Sequence, residues 1–201
     1  MKKSKARLCC ILFVLHVGNV GTSSKPQNIS AAWILAAHAP GTETGAFITE
    51  RAPLAVHMMR RYGVPASIIL AQAIIESDRG KSELCAATNN HFGVKCSKKK
   101  CSCYGHKWKY DRGVWSRFVV YPNEYASFDA HSRILCSGRY RSLRCDAGMD
   151  WKKWCEALQR KGYAVDKRYA KSLKQIIQKN NLYEYDHYAS QQNPCPPAGA
   201  Y

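Results

Sequence analysis

The stretch of residues 63–82 constrains the fold of this chain most, and its sequence is GVPASIILAQAIIESDRGKS. Pro65 is suited to the first turn of a helix, because its ring pre-sets the φ angle. Every residue from Ile68 to Ile75 is apolar except Gln72, and a helix that is apolar on all sides belongs in the interior of a domain. The sequence therefore predicts a buried helix that begins at Pro65 and ends on Glu76.

The carboxylate of Glu76 is the chemically informative group of this predicted helix. Apolar neighbours would desolvate it, and the end of the helix would place partial negative charge beside it, so both effects would raise its pKa. A general acid that works near neutral pH needs such a raised pKa. The alternative is a glutamate that reaches solvent at a frayed helix end, and the helix alone leaves both interpretations open.

The amino-terminal residues 1–23 have the pattern of a secretory signal peptide. Four cations precede a short apolar run at 8–17, and small residues follow. A membrane span would need about 20 apolar residues, so this run is too short for one. Cys9 and Cys10 suggest a lipoprotein signal as the alternative, but they precede most of the apolar run. We expect a secreted or periplasmic protein of the cell envelope with no stable membrane anchor.

The net charge of the chain favours a polyanionic partner. The formal value is +17, and it falls to +13 without Lys2, Lys3, Lys5 and Arg7 of the predicted signal. A surface of that charge attracts polyanions, and an exported protein meets carboxylate-bearing wall polymer before nucleic acid. The lysines form clusters at 98–100 and 152–153 and do not alternate with aromatic residues. We therefore expect no nucleic-acid partner.

Eight cysteines remain after the predicted signal, and their even number in an exported chain indicates disulfide bonds. They are Cys85, Cys96, Cys101, Cys103, Cys136, Cys145, Cys155 and Cys195. A zinc site at Cys96, Cys101 and Cys103 is the alternative, but the spacing lacks the paired C-x2-C elements of common structural zinc sites. Disulfides are favoured with open connectivity, and neither a metal nor another cofactor is expected.

The remaining patterns indicate an α+β fold that is mainly helical, with one small β-hairpin. Apolar residues recur at helical spacing in four further segments: Phe47–Arg61, Asn123–Cys136, Trp151–Gly162 and Tyr169–Asn181. Aromatic and β-branched residues flank Asp111-Arg112-Gly113, which predicts a hairpin with a short turn. Residues 24–46 are expected to be a linker, 47–186 the folded domain, and 187–201 a proline-containing tail.

Five segments in this order resemble one known family. They are GVPASIILAQAIIES, NNHFGVKC, FVVYPNEYASFDAHSRIL, RYRSL and KGYAVDKRYAKSLKQII. Together they resemble the glucosaminidase domain of bacterial peptidoglycan hydrolases, glycoside hydrolase family 73, and in particular its flagellar-type and Bacteroidetes-type members. The resemblance runs from about Phe47 to Asp186.

This resemblance implies a lysozyme-like fold in which the hairpin flanks a glycan cleft, and an endo-β-N-acetylglucosaminidase. Its substrate and partner would be the glycan strands of peptidoglycan, cut after N-acetylglucosamine by what we expect to be a monomer. Glu76 matches the catalytic acid of the family. Asn90, His91 and Phe92 match a substrate-binding segment beside it, although His91 could simply fix a loop and Phe92 could belong to the core. Tyr163 matches a tyrosine that lines the cleft.

The second catalytic carboxylate is the point at which the sequence departs from the family. Glycosidases commonly use two carboxylates, and Asp111 is the only one on the predicted hairpin. Asp111 is either the catalytic base or a turn-forming residue in Asp-Arg-Gly. Without a protein base, the N-acetyl group of the substrate could assist the reaction.

Three other functions remain open at the level of sequence. A muramidase or lytic transglycosylase on the same general fold would also end a helix in Glu-Ser. The altered hairpin would also suit a catalytically impaired module that binds peptidoglycan or serves its assembly. A toxin delivered to rival bacteria is suggested only by small size and high cysteine content.

Overall fold

A helical body with one two-stranded antiparallel hairpin forms the part of the chain that the structure describes. The structure is a computed structural model, and it describes residues 42–96, 105–111 and 113–188. The predicted signal, nearly all of the predicted linker, and Cys101, Cys103 and Cys195 lie outside these residues. Within the described ranges, no helix combines the length and the apolar character needed to cross a membrane.

The mainly helical fold class with one hairpin is confirmed. The helices are α1 (Glu43–Tyr62), α2 (Ala66–Ser77), α3 (Glu83–Thr88), α4 (Glu124–Leu135), α5 (Leu143–Ala147), α6 (Trp151–Arg160) and α7 (Tyr169–Lys179). The strands β1 (His106–Asp111) and β2 (Val114–Val119) lie between α3 and α4. Two short 3-10 helices span Gly138–Tyr140 and Leu182–Tyr188.

The first helix, α1, begins earlier than the amphipathic segment that the sequence indicates from Phe47. Thr42 caps it, because its hydroxyl oxygen accepts a hydrogen bond from the backbone N–H of Gly45 at 3.0 Å. Gly63 ends α1 in the left-handed conformation with φ +69°, which glycine adopts at no steric cost. The short connection that follows brings the chain directly into α2.

The central helix, α2, lies in the interior as predicted. All of its side chains except that of Ile75 are buried, and Pro65 stands at its N-cap position. Proline offers no side-chain cap, and Asp186 of the second 3-10 helix supplies one instead. The backbone N–H of Ser67 donates to its Oδ1 at 2.9 Å, and the Ser67 hydroxyl donates to its Oδ2 at 2.6 Å. The carboxyl-terminal segment therefore fixes the start of α2.

The hairpin has two chemically different faces, because paired residues of an antiparallel ladder point to the same side. We call one the aromatic face, and it carries His106, Trp108, Tyr110, Trp115, Arg117 and Val119. We call the other the lysine face, and it carries Lys107, Lys109, Asp111, Val114, Ser116 and Phe118. On the far side of β2, residues 94–96 add backbone hydrogen bonds to Arg117 and Val119.

Three cysteines correct the prediction that all eight form disulfides. Cys85, Cys136 and Cys155 are buried free thiols, and burial raises the pKa of the first two to about 11 and that of Cys155 to about 12. An even count does not distinguish a bonded cysteine from one that packs as a small apolar side chain. Cys96 and Cys145 are disulfide-bonded.

Candidate active site

The carboxylate of Glu76 lies in the last turn of α2 and is only 1% exposed, so the expectation of a buried acid is confirmed. The hydroxyl of Tyr169 donates a hydrogen bond to Glu76 Oε1 at 3.2 Å. Gln72, one turn earlier on α2, donates from Nε2 to the same hydroxyl at 3.0 Å. Because the amide nitrogen can only donate, the single proton of Tyr169 is directed at Glu76.

The end of α2 is fixed by local hydrogen bonds and does not fray. The hydroxyl of Ser77 donates to the carbonyl oxygen of Ala73 at 2.6 Å and accepts from the backbone N–H of Gly80 at 2.7 Å. Asp78, Arg79 and Gly80 all have left-handed φ angles, and the first two form an ion pair with each other. The Asp78 charge is therefore compensated by its neighbour.

Tyr163 supports Tyr169 from behind. The two rings stack with centroids 5.4 Å apart and planes at 18°. Tyr163 is itself only 1% exposed, and its hydroxyl oxygen lies 3.2 Å from Nε2 of His131. Complete burial lowers the pKa of His131 to about 3, so this histidine is neutral near pH 7. The predicted contact of Tyr163 with sugar stays a prediction, while its observed contacts are with aromatic residues.

Asn90 and Phe92 are placed by the structure inside the fold. The amide nitrogen of Asn90 donates to the carbonyl oxygens of Val94 and Val119, and its amide oxygen accepts from the N–H of Val94. Phe92 is completely buried and stacks on His131 with centroids 3.7 Å apart. Neither side chain presents an exposed surface to a sugar. The placement of Phe92 supports its alternative role in the core, and the substrate-binding role of Asn90 stays a prediction.

His91 lies beside a polar cleft of about 420 Å³, which Arg51, Asn89 and Glu124 also line. Its ring contacts the ring of Phe128 edge to face at 5.4 Å. Burial lowers the pKa of His91 to about 4, and the nearby charge of Arg51 acts in the same direction. His91 is therefore a neutral side chain that is packed in place, with Nε2 3.6 Å from a carboxylate oxygen of Glu124. Both its substrate-binding role and its loop-fixing role stay predictions.

Asp111 lies on the lysine face of the hairpin and forms an ion pair there. Its Oδ2 is 2.9 Å from Nζ of Lys95, and its side chain is 11% exposed. Lys95 also donates to the hydroxyl of Ser116 on the same face. Asp111 pairs with Val114 across the hairpin, so it precedes the two-residue turn. The base role of Asp111 stays a prediction, and its pairing with Lys95 favours a structural role.

Sequence reasoning missed three residues that hold the candidate acid in place: Gln72, His131 and Tyr169. Gln72 carried a signal, because it is the only polar residue in the apolar run of α2. Tyr169 stands 93 positions after Glu76, and nothing in its local sequence indicates that pairing. The contact exists because α7 packs against α2.

A buried glutamate at the end of a central helix, with a small hairpin beside the same core, gives this chain a lysozyme-like architecture. Residues 52–182 match the glucosaminidase family, described as mannosyl-glycoprotein endo-beta-N-acetylglucosaminidase. The chain belongs to this family, and the resemblance inferred from the five sequence segments is confirmed.

Individual relatives agree with this assignment. The exo-glucosaminidase LytG of Bacillus subtilis (strain 168) is 34% identical over 154 residues, which cover 72% of this chain and 54% of that relative. The chain thus spans about half of the length of that relative. The catalytic domain of the autolysin Auto from Listeria monocytogenes is similar in structure, with 29% identity, a TM-score of 0.60, and 74% and 90% of the two chains covered.

A second solved structure shows the same fold. The glycoside hydrolase domain of FlgJ from Salmonella typhimurium has 25% identity and a TM-score of 0.53. The match covers 71% of this chain and 91% of that domain. The lysozyme-like architecture with a two-stranded hairpin is therefore confirmed by solved structures.

Proposed function

We propose that this protein is an exported peptidoglycan hydrolase that cleaves the β-1,4 bond after N-acetylglucosamine, with Glu76 as general acid. The observation that carries the proposal is the buried Glu76 carboxylate, held by Tyr169 at the end of α2 in a chain of the glucosaminidase family. The names of the relatives support the substrate, since they include an exo-glucosaminidase, an autolysin and a peptidoglycan hydrolase.

Tyr169 decides which oxygen of Glu76 carries the transferred proton. Oε1 accepts the hydrogen bond from Tyr169, so a protonated Glu76 holds its proton on Oε2. In the reaction that proton moves to the glycosidic oxygen while the bond between this oxygen and C1 of the sugar breaks. Burial favours the protonated acid before the reaction.

The second half of the reaction uses the acetamido group of the substrate. Its carbonyl oxygen bonds to C1 as the leaving sugar departs. Water then adds to C1 while the bond between C1 and that carbonyl oxygen breaks, and a proton of the water returns to Glu76. Substrate assistance is a known exception to the use of two carboxylates. The pairing of Asp111 with Lys95 supports this route, because a base that is occupied by a lysine is a poor activator of water.

Export to the cell envelope is part of the proposal. The predicted signal at 1–23 supports it, as do the disulfide-bonded Cys96 and Cys145, since disulfides persist in oxidising compartments. The excess of cations in the chain suits a wall polymer that carries carboxylates.

Digestion of purified peptidoglycan tests the function directly. We expect the wild type to release fragments with N-acetylglucosamine at the new reducing end, and Glu76→Gln to release none. Glu83→Gln is the matched control, because the side chain of Glu83 is 79% exposed on α3 and should leave activity unchanged. Full activity of Glu76→Gln would exclude the proposed acid.

The same digestion separates the alternative functions by product mass. Muramic acid at the new reducing end would identify a muramidase, and anhydro-muramic ends would identify a lytic transglycosylase. Binding of insoluble wall without any turnover by the wild type would indicate a binding or assembly module.

A further inference from the structure

The aromatic face of the hairpin exposes three large rings that the proposed chemistry does not use. Trp108 is 54% exposed, Tyr110 60% and Trp115 66%. Single exposed apolar residues are ordinary on protein surfaces, but a contiguous group usually marks a binding site. These three side chains are contiguous, because Tyr110 pairs with Trp115 across the hairpin and Trp108 stands two residues before Tyr110 on the same face.

Each of the three rings has an aromatic or cationic neighbour on the same face. Tyr110 and Trp115 meet edge to face, with centroids 5.7 Å apart and planes at 66°. His106 meets Trp108 in the same manner at 5.9 Å and 79°. The guanidinium carbon of Arg117 lies 5.8 Å from the centroid of Trp108. Such pre-organisation lowers the entropic cost of binding a ligand.

The aromatic face joins the main core at one end of the hairpin. Val119 lies on the same face of the hairpin and belongs to the core that also contains the apolar residues of α2. Lys107 and Lys109 on the lysine face each lie 3.9 Å from a carboxylate oxygen of Glu83 on α3, and Phe118 on that face is completely buried. The lysine face therefore packs toward the body, and the three exposed rings lie on the solvent side of the hairpin.

We propose that Trp108, Tyr110 and Trp115 form a platform that binds sugar rings of the glycan strand away from the bond that is cut. This inference rests on the proposed function and adds a second glycan-binding surface to the protein. The C–H groups on one face of a pyranose carry partial positive charge, and the faces of aromatic rings carry negative charge, so the two stack. Arg117 beside Trp108 adds a cation that suits the carboxylates of the wall polymer.

A glycan strand that carries carboxylates fits this surface. The exposed side chains are rings with polar edges, and His106 and Arg117 lie on the same face, so the surface offers ring faces for stacking and a cation for the carboxylates. The substrate of a glucosaminidase is also a polymer, so it extends beyond the one bond next to Glu76. The platform therefore gives preference for long strands over short fragments.

The test measures binding of purified, soluble glycan strands and of a short N-acetylglucosamine oligomer to the full chain. All proteins carry Glu76→Gln so that turnover is absent. We expect the added pair Trp108→Ala and Trp115→Ala to weaken binding of strands by about tenfold, which corresponds to about 1.4 kcal/mol. The pair Trp108→Phe and Trp115→Phe retains the rings and should bind within about twofold of the parent.

The matched control is Val114→Ala, because Val114 is exposed on the same hairpin but lies on the lysine face. It should leave strand binding unchanged. Circular dichroism and thermal unfolding confirm that each variant is folded. The short oligomer should bind to the double alanine variant and to the parent with equal affinity. It is too short to reach the aromatic face and occupies only the site near residue 76.

Two results would overturn the platform. One is unchanged strand binding by the folded alanine pair, and the other is an equal loss caused by Val114→Ala. If the wild type is a dimer, the double alanine variant is a monomer and strand binding is unchanged, the rings form a contact between two copies of the chain instead. A different measurement tests the proposed function: that proposal fails if Glu76→Gln cleaves the wall at the wild-type rate.

Discussion

The surroundings of Glu76 and the aromatic face of the hairpin differ in how they expose their functional groups. Glu76 is a polar group that the core encloses, and its orientation is fixed by Tyr169 and by the turn that ends α2. Trp108 and Trp115 are apolar groups that solvent surrounds, and they are oriented only by neighbouring side chains on the hairpin. Proton transfer needs a desolvated and fixed acid, whereas sugar stacking needs accessible ring faces.

Replacement of Glu76 should have the largest effect. Glu76→Gln keeps a side-chain oxygen that accepts from Tyr169 but removes the transferable proton. We expect the rate of wall cleavage to fall by roughly 10²- to 10⁴-fold, the usual contribution of a general acid. The free energy of unfolding should stay equal or rise, because a neutral amide then replaces an ionisable group at this buried position. Kinetics on purified wall and urea unfolding measure both quantities, and a loss of stability would contradict the role assigned here.

The other end of α2 should show the next largest effect, on stability as a function of pH. Burial raises the pKa of Asp186 to about 7 from 3.8, although its hydrogen bonds with Ser67 oppose the shift. The folded protein therefore keeps a proton that the unfolded chain releases. The contribution of the protonated carboxyl to the free energy of unfolding is therefore fully present below about pH 4, and it is lost as the pH rises through about 7.

Asp186→Asn should remove this pH dependence, which amounts to a few kcal/mol. Urea unfolding at pH 4, 5.5 and 7.5 measures it in both proteins. Asp150→Asn is the control, because Asp150 caps α6 at an exposed position. Identical slopes of stability against pH in the wild type and Asp186→Asn would show that this carboxyl does not titrate in that range.

Tyr169→Phe should have an intermediate effect. It removes the hydroxyl that donates to Glu76 Oε1 and leaves the buried amide of Gln72 without its acceptor. We expect cleavage to slow by about tenfold and the free energy of unfolding to fall by about 1–3 kcal/mol.

Tyr163→Phe is the matched control for this variant, because the hydroxyl of Tyr163 contacts His131 rather than Glu76. It should lower stability by a similar amount and change the cleavage rate by less than about threefold. Equal rate losses in both variants would show that the tyrosines act only through packing.

Asp111→Asn should have the smallest effect, and it tests whether the hairpin contributes chemistry in addition to binding. Removal of the ion pair with Lys95 should reduce stability by about 1 kcal/mol or less and the rate by less than about threefold. A loss of 10²-fold or more in the cleavage rate, with binding of strands intact, would restore Asp111 as the catalytic base.

Much of the central helix could be predicted because its evidence is local. The apolar run before Glu76 and the proline at its start predict a buried helix that ends on an acid, and α2 has those properties. The hairpin was also predictable, since a short turn joins two strands of aromatic and β-branched residues. The free state of Cys85, Cys136 and Cys155 was not predictable, because pairing depends on distance between positions that are remote in sequence.

The sequence by itself determined the elements of this protein and the identity of its candidate acid, because periodicity and residue type act over a few positions. Only the tertiary structure decided the partners of that acid. The packing of α7 against α2 brings Tyr169 to Glu76, and the pairing of strands places Asp111 on the opposite face from Trp108, Tyr110 and Trp115. These relations depend on how separate elements pack, and that packing is set by burial of the whole core.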